Sequence, residues 1–300
     1  MNITASLKLY VLINRGSGNQ QNDFEEVIRD FYRGTHVLHF FTLSKTSSVE
    51  EIRQDIIAFG PHRVLAVGGD GTVKLAAECL LETDIPLAII PTGSANGMAK
   101  EINLKNNLKA ALELAVNGTP KLIHALRVNG EFSIHLADIG INARIVKKFQ
   151  YLDERGMIGY AKAAWQAIKR HKKMHVTVNA QGKSKSRKAE MVVIANGTSY
   201  GTGVKINKTG SLFDDQFEIV IVKWFSVLEL LKMCFSFKTQ FNPFKTEIIP
   251  TNYANLTIRE NTSLQVDGEY IGKVKQVEVQ LITDAVLLVC NNEKFKSEYA

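Results

Sequence analysis

The stretch RVLAVGGDGTVKLAAECLL, Arg63–Leu81, contains the pattern that decides the fold. Its apolar run 64–67 predicts a buried strand, and residues 73–82 predict a helix. Between the two stands a loop made of Gly68, Gly69, Asp70, Gly71 and Thr72. Glycines at the carboxyl end of a strand let the backbone adopt positive φ and approach a bound group closely. The stretch therefore predicts a strand, a ligand-binding loop and a helix in immediate succession.

A phosphate group suits this loop, because the N-terminus of the following helix offers unpaired N–H groups and the positive end of its dipole. An acidic residue at such a site, Asp70, indicates a divalent ion that bridges to the phosphates. The loop is neither the dinucleotide fingerprint nor a P-loop, whose spacings it lacks. It predicts a nucleotide site with a carboxylate on the metal side, and an ordinary strand-to-helix turn is the alternative.

Two further glycine loops follow predicted strands of the same region. INRGSGN, residues 13–19, ends the first strand, and IIPTGSANGMA, residues 89–99, ends the strand after the helix. The carboxyl ends of parallel strands meet at one edge of a sheet. We therefore expect all three loops to surround a single ligand.

The chain changes character after Pro120. Before it, strands alternate with helices, which predicts a doubly wound parallel sheet. After it, short alternating segments separated by turn residues predict a mainly antiparallel β-sandwich, with helices only at 156–171 and 226–235. The fold class is thus α/β, with an N-terminal nucleotide domain at 1–123, onto which 291–300 packs back, and a β-rich substrate domain at 124–290.

Composition restricts the class of protein. Three cysteines without metal spacing indicate a reducing, cytoplasmic setting. The N-terminus lacks a signal-peptide pattern, and no run approaches the ~18 apolar residues that span a bilayer. The net charge is +7, and residues 161–188 hold nine Lys and Arg and no acid, so the remainder is near −2 (7 − 9). This basic segment suits an anionic membrane surface or nucleic acid; a solvated surface with a flexible loop at 182–188 is the alternative.

With these loops and the late VDGE, 266–269, the chain resembles the diacylglycerol kinase catalytic-domain family, which includes bacterial lipid kinases and sphingosine kinases. The resemblance covers nearly the whole chain, and GGDGT is its most specific motif. It implies ATP and Mg²⁺ as cofactors. It also implies nucleotide contacts at Asn14, Arg15 (in place of a proline), Gly16, Ser17, Gly18, Thr42, Gly68, Gly69, Asp70, Gly71, Thr72, Ser94 and Asn96.

The same resemblance assigns the acidic residues of the second half. Glu269 is the expected proton acceptor for the substrate hydroxyl, with Asp267 beside it as a positioning group or alternative base; a simple D-G hairpin turn is the competing interpretation. Asp215 is expected to hold a structural Mg²⁺ together with the carbonyls of Leu212 and Phe217, and plain surface turn residues are the alternative there. Asp70 is the expected ligand on the nucleotide side.

Four positions depart from the family pattern, namely Lys74, Leu75, Gly97 and His124. Gly97 and His124 stand where related kinases carry acidic residues that share a magnesium ion with the aspartate of the glycine loop. These two departures therefore put magnesium binding in question.

We predict an ATP-dependent kinase of a lipid alcohol such as diacylglycerol, with transient contact to an anionic membrane surface, no nucleic-acid partner, and a homodimer left open. The alternatives are a kinase of a soluble alcohol or nucleotide, similar to NAD kinase, and a non-catalytic nucleotide- or lipid-binding relative.

Overall fold

The structure is a computed structural model that describes residues 6–15, 23–104, 107–150, 173–199, 205–207, 210–224 and 245–291. The chain divides into two compact units, Met1–Ile123 with Asp284–Ala300 and His124–Thr283. The predicted helices at 156–171 and 226–235 lie outside the described residues. None of the helices within the described ranges is both long and apolar enough to cross a bilayer.

The N-terminal unit is built on parallel strands. Strand β1 pairs with β2 and β3, β3 pairs with β4, and β4 pairs with the end of β14. Its elements in chain order are β1 (Lys8–Ile13), α1 (Phe24–Phe31), β2 (Val37–Thr42), α2 (Val49–Phe59), β3 (Arg63–Gly68), α3 (Asp70–Cys79), β4 (Leu87–Pro91), α4 (Gly97–Glu101) and α5 (Leu108–Asn117).

Local sequence explains these elements. The strands β1, β3 and β4 are buried almost throughout, as continuous apolar runs with helices on both faces should be. Helix α2 begins at a capping box, in which Ser48 accepts the N–H of Glu51 and Glu51 accepts the N–H of Ser48. It ends at Gly60, which is left-handed with φ 61°.

The β-rich unit is antiparallel. Its strand order is β12-β11-β10-β7-β13-β14, and β8 pairs with both β13 and β9. The chain enters this unit within β5 and leaves it within β14. The elements are β5 (Thr119–Val128), β6 (Glu131–Ser133), β7 (Leu136–Gly140), α6 (Ile141–Gln150), β8 (Met174–Ala180), β9 (Lys183–Ala189), β10 (Met191–Ala195), β11 (Phe217–Val222), β12 (Thr246–Thr251), β13 (Tyr253–Val266) and β14 (Glu269–Cys290).

The predicted fold class is confirmed: a parallel-sheet α/β unit precedes a mainly antiparallel β-rich unit. One boundary differs from the prediction. Residues 284–290 belong to the N-terminal unit, because Leu288 pairs in parallel with Leu87 of β4 and Val289 packs in that unit's core. Helix α6 was not predicted, although Ile141, Ile145 and Val146 recur at helical spacing and are buried.

The alternative interpretation of 182–188 as a flexible loop is wrong, because residues 183–189 form strand β9. Lys185 and Arg187 pair with Val178 and Val176 of β8, whose side chains are buried in the core. They therefore point to the core side of the edge, where both bind the carboxylate of Glu247 on β12, at 3.3 and 2.8 Å. Such inward-pointing charges protect the edge strands β9 and β12 from pairing with another chain. Part of the basic segment 161–188 therefore has a structural role.

Strand β11 carries a buried carboxyl group, that of Glu218, which is 3% exposed. Burial raises the pKa of Glu218 to about 7; the amide of Asn207, which donates to Oε2 at 2.5 Å, opposes this, and the Asp214 carboxylate adds to it. The folded protein thus holds this proton more tightly than the unfolded chain does, whose ordinary pKa is 4.5. Stability from this group is complete below pH 4.5 and is lost as the pH rises through about 7.

We therefore expect Glu218→Gln to gain stability relative to the natural protein as the pH rises from 4.5 to 8, by up to roughly 3 kcal/mol. Thermal unfolding at both pH values measures this. Glu247→Gln is a control, because hydrogen bonds led by Arg187 lower the pKa of Glu247 to about 2, so its charge stabilises the fold throughout this range of pH. This variant should be less stable than the natural protein by nearly the same amount at both pH values. A Glu218→Gln difference that stays constant with pH would contradict the assignment.

Candidate functional site

Three strand ends meet at one edge of the N-terminal sheet. Strands β1, β3 and β4 are adjacent and parallel, so the loops that follow them emerge side by side. The backbone N–H of Asn14 donates to the carbonyl of Val67 at 3.1 Å, and the N–H of Thr92 donates to the carbonyl of Gly68 at 3.0 Å. The Asn14 amide also donates to the hydroxyl of Thr72 at 3.2 Å. The described parts of the three predicted loops thus interlock.

The glycines of this edge are required by close packing. A Cβ on Gly68 would lie 2.2 Å from the Thr72 hydroxyl oxygen, and one on Gly93 would lie 2.5 Å from the Cα of Gly69. The expectation of positive φ at Gly68, Gly69 and Gly71 is wrong, because none of them is among the residues with positive φ. At Gly68 and Gly93 the absence of a side chain, rather than an unusual backbone conformation, lets the loops approach.

Asp70 stands at the first position of helix α3, three residues before the predicted start at 73. Its Oδ1 accepts the backbone N–H of Met98 at 3.1 Å, which ties the β3 loop to helix α4. Lys100, on the same short helix, is a cation that sequence reasoning missed. Burial lowers the pKa of Lys100, and the charge of Asp70 offsets part of this change. Only the fold brings together this lysine and an aspartate 30 positions away in the sequence.

The other predicted nucleotide contacts differ in accessibility. Ser94 is exposed, whereas Asn96 is buried in the left-handed conformation, with φ 53°, and bonds Gly93 through both ends of its amide. Asn96 therefore shapes its loop. Thr42 ends β2 beside Ile13, and Arg15 is exposed with its guanidinium 3.5 Å from Glu25. Gly16, Ser17 and Gly18 lie outside the described residues.

The two carboxylates predicted at the acceptor side, those of Asp267 and Glu269, lie at a tight turn of the β-rich unit. Val266 pairs with Glu269, so Asp267 and Gly268 form a two-residue hairpin loop, and both have positive φ, 48° and 86°. Two positive φ values are typical of the type I′ turn that Asp-Gly favours. The hairpin interpretation of the sequence is therefore correct, and it places Glu269, which is exposed, at the first position of β14.

The two carboxylates have different surroundings. Asp267 accepts four hydrogen bonds: from the Ser133 hydroxyl and from the N–H groups of Ile134, His135 and Leu136, at 3.0–3.2 Å. Its side chain holds the connection between β6 and β7 against the hairpin. This set of donors suits a positioning group.

The predicted magnesium loop lies beside His124. Asp215 lies 3.5 Å from the ring of His124, and the Leu212 carbonyl accepts the His124 N–H at 2.9 Å. Phe217 begins β11 and pairs with Thr251. Within the described ranges, no group of three or more His, Cys, Asp or Glu side chains could hold a metal ion. A site made of Asp215 and the carbonyls of Leu212 and Phe217 stays a prediction.

Both halves of the chain match known protein families. Residues 8–128 match the family described as the diacylglycerol kinase catalytic domain, and residues 136–290 match the YegS C-terminal NAD kinase beta sandwich-like domain.

Individual relatives agree with these matches. A Staphylococcus carnosus protein, whose name presents it as a candidate lipid kinase, is 28% identical over 232 residues, covering 74% of this chain and 75% of that protein. The Bacillus subtilis diacylglycerol kinase is 23% identical over 218 residues, with coverages of 70% and 71%. The crystal structure of a diacylglycerol kinase from Bacillus anthracis str. Sterne superposes with a TM-score of 0.71 at 17% identity, over 96% of this chain and 99% of that one. That likeness shows the shared fold.

The glycines of the β3 loop differ in what a methyl group would meet. In the described part of the chain, no atom lies within 4 Å of a Cβ on Gly71, whereas one on Gly68 would strike Thr72. We expect Gly68→Ala to destabilise the fold by at least about 1–3 kcal/mol and Gly71→Ala to leave it unchanged or slightly more stable. Urea unfolding of the two matched variants measures this. Equal stabilities would show that the close packing at Gly68 is not required.

Proposed function

The chain belongs to the diacylglycerol kinase catalytic-domain family, and on this premise we propose that it is an ATP-dependent kinase that phosphorylates the hydroxyl group of a lipid alcohol such as diacylglycerol. The observation that supports this most directly is the interlocked edge formed by Asn14, the loop Gly68–Thr72 and the loop after β4. Backbone N–H groups at the start of α3 and a carboxylate at its first position suit phosphates that arrive with a cation.

The proposed reaction needs few protein groups. The alcohol oxygen forms a bond to the γ-phosphorus, the bond from that phosphorus to the bridging oxygen breaks, and ADP leaves. Glu269 accepts the hydroxyl proton, and Asp267 keeps the hairpin that carries Glu269 in place. Mg²⁺ bound with ATP would neutralise phosphate charge, and Asp70 is the residue that we assign to it. Lys100, beside Asp70, adds a positive charge on the same side.

Diacylglycerol and other lipid alcohols share a hydroxyl on an acyl-bearing molecule, and the family matches do not separate them. A radiolabelled ATP assay over a panel of lipid alcohols, with glycerol and NAD as soluble acceptors, tests the substrate class. Labelled lipid product supports the proposal. Transfer only to a soluble acceptor would favour the kinase similar to NAD kinase.

A non-catalytic nucleotide-binding relative is the second candidate, because Lys74, Gly97 and His124 replace residues of the family pattern. In the structure His124 is 6% exposed and lies beside Asp215. Lys74 is 8% exposed on α3. ATP binding by calorimetry without transfer to any lipid in the panel would favour this candidate.

Two nearly isosteric variants separate the nucleotide side from the acceptor side. Asp70→Asn keeps the oxygen that accepts the Met98 N–H but loses the charge, so we expect transfer to fall by at least about 100-fold with the melting temperature preserved. Glu269→Gln should lower turnover by roughly 10²–10⁴ and leave ATP affinity unchanged. Glu131→Gln, at an exposed position of β6, is the control. Natural turnover in Asp70→Asn, or loss of ATP binding in Glu269→Gln, would contradict these assignments.

We also propose that the protein visits an anionic membrane surface, where its substrate resides. Residues 161–172 of the basic segment lie outside the described residues. In the described part, Lys185 and Arg187 bind Glu247, so Lys183 and Lys188, both exposed on β9, are the better candidates for lipid contact. Each lysine near such a surface contributes about 1 kcal/mol.

Binding to vesicles should increase with anionic lipid and decrease as salt shortens the screening length from ~10 Å at 0.1 M to ~3 Å at 1 M. We expect Lys183→Gln with Lys188→Gln to weaken sedimentation with anionic vesicles while sparing activity on detergent-dispersed substrate. Arg33→Gln with Lys109→Gln removes the same charge from exposed sites of the N-terminal unit and serves as the control. Equal effects of the two pairs would show that net charge alone, not β9, directs binding.

A further inference from the structure

A buried carboxylate lies in the middle of β7, outside the groups assigned above. Asp138 is 0% exposed, and its neighbours along the strand, Ala137 and Ile139, belong to the apolar core. Placing a carboxylate in such an environment is unfavourable unless hydrogen-bond donors surround it. A fold that buries this group therefore has to supply donors at fixed positions.

Two buried amides supply them. The Asn142 amide, one turn along on α6, donates to Oδ2 of Asp138 at 2.5 Å, and the Gln265 amide donates to the same oxygen at 2.6 Å. Gln265 stands directly opposite Asp138 in the pairing of β13 with β7 and is 1% exposed. The carboxylate thus connects three elements: β7, α6 and β13.

The carboxylate also decides which way the Gln265 amide points. Oδ2 of Asp138 accepts from both amides, so Gln265 presents its Nε2 to Asp138. Its Oε1 is then directed at the hairpin, where it accepts the backbone N–H of Gly268 at 2.7 Å. A reversed amide would place oxygen against oxygen at one end and N–H against N–H at the other.

The hairpin is consequently held at both of its loop residues. Asp267 is held through its side chain by residues 133–136, and Gly268 is held through its N–H by Gln265. The next residue is Glu269. Both loop residues have positive φ, a backbone conformation that few residue types adopt easily. The hydrogen bonds to these two residues therefore fix where β14 begins, with Glu269 as its first residue.

We propose that Asp138 and Gln265 are positioning residues for Glu269, acting through the Gly268 N–H. This inference rests on the proposed function, because it assigns a role in the transfer that Glu269 assists. A displacement of the reacting groups by about 1 Å is enough to slow a reaction 100-fold. The pair therefore affects turnover while leaving ATP binding to the N-terminal unit.

The first test uses Asp138→Asn, which keeps the volume and removes the requirement that fixes the Gln265 amide. We expect kcat to fall about 10- to 100-fold with the KM for ATP unchanged and the melting temperature preserved. In a Glu269→Gln background the same substitution should have no further effect on kcat, because the group being positioned is already absent. An equal loss in both backgrounds, or no loss in the natural one, would overturn the proposal.

The second test exchanges the two groups. Gln265→Glu alone places two carboxyl groups side by side in a buried site and should impair the protein. Combined with Asp138→Asn, the new carboxylate can accept from the amide introduced at position 138 and from the Gly268 N–H, and Asn142 can turn its amide to accept from the same introduced N–H group. We expect the double variant to recover kcat above Asp138→Asn alone. Failure to recover in a folded double variant would count against the relay.

Hydrogen exchange of the Gly268 amide gives a readout without catalysis. Asp138→Asn should accelerate this exchange about tenfold, since one hydrogen bond loses its fixed acceptor. Exchange that stays unchanged would overturn the relay whatever the activity. If the natural protein transfers no phosphate to any acceptor, the proposed function fails, and this measurement still decides whether Asp138 and Gln265 hold the hairpin.

Discussion

The four hydrogen bonds accepted by Asp267 are the constraint on which the candidate acceptor site depends. They bind the connection between β6 and β7 to the tip of the β13–β14 hairpin, although these two segments are far apart in the sequence. A single carboxylate can do this because its two oxygens offer several lone pairs, which successive backbone N–H groups satisfy. The adjacent Glu269 is exposed on the same hairpin. The D-G turn thus fixes the backbone of the hairpin and leaves the next side chain accessible.

The nucleotide side relies on a different constraint, the absence of side chains. Gly68 lets the Thr72 hydroxyl sit where a Cβ would be, and Gly93 lets its loop touch the backbone of Gly69. Three parallel strand ends can therefore lie closer than ordinary residues would allow. Asp70 is held by the Met98 N–H within this packing, so its direction is set by the loops rather than by its own rotamer. Rigid placement of such a charge is what phosphate chemistry requires.

Charge in the β-rich unit is largely used for structure. The basic strand β9 directs Lys185 and Arg187 inward to Glu247, which protects the edges of β9 and β12. Asp138 and Glu218 are both buried with amide donors: Oδ2 of Asp138 accepts from Gln265 of β13, and Glu218 accepts from Asn207. Such buried hydrogen bonds favour one arrangement among many of similar apolar content.

The sequence by itself determined the fold class and the three glycine loops, because strand and helix periodicity, capping boxes and turn residues act over a few positions. It also located the D-G turn. The long-range contacts of the fold, in contrast, make Asp267 the residue that binds residues 133–136 to the hairpin, and they direct the Gln265 amide at Gly268. The partners that decide this, Ser133 and Asp138, lie 134 and 127 residues away, and no local pattern records them. Hydrogen bonds of that kind depend on strand register, which is set by the packing of the whole core.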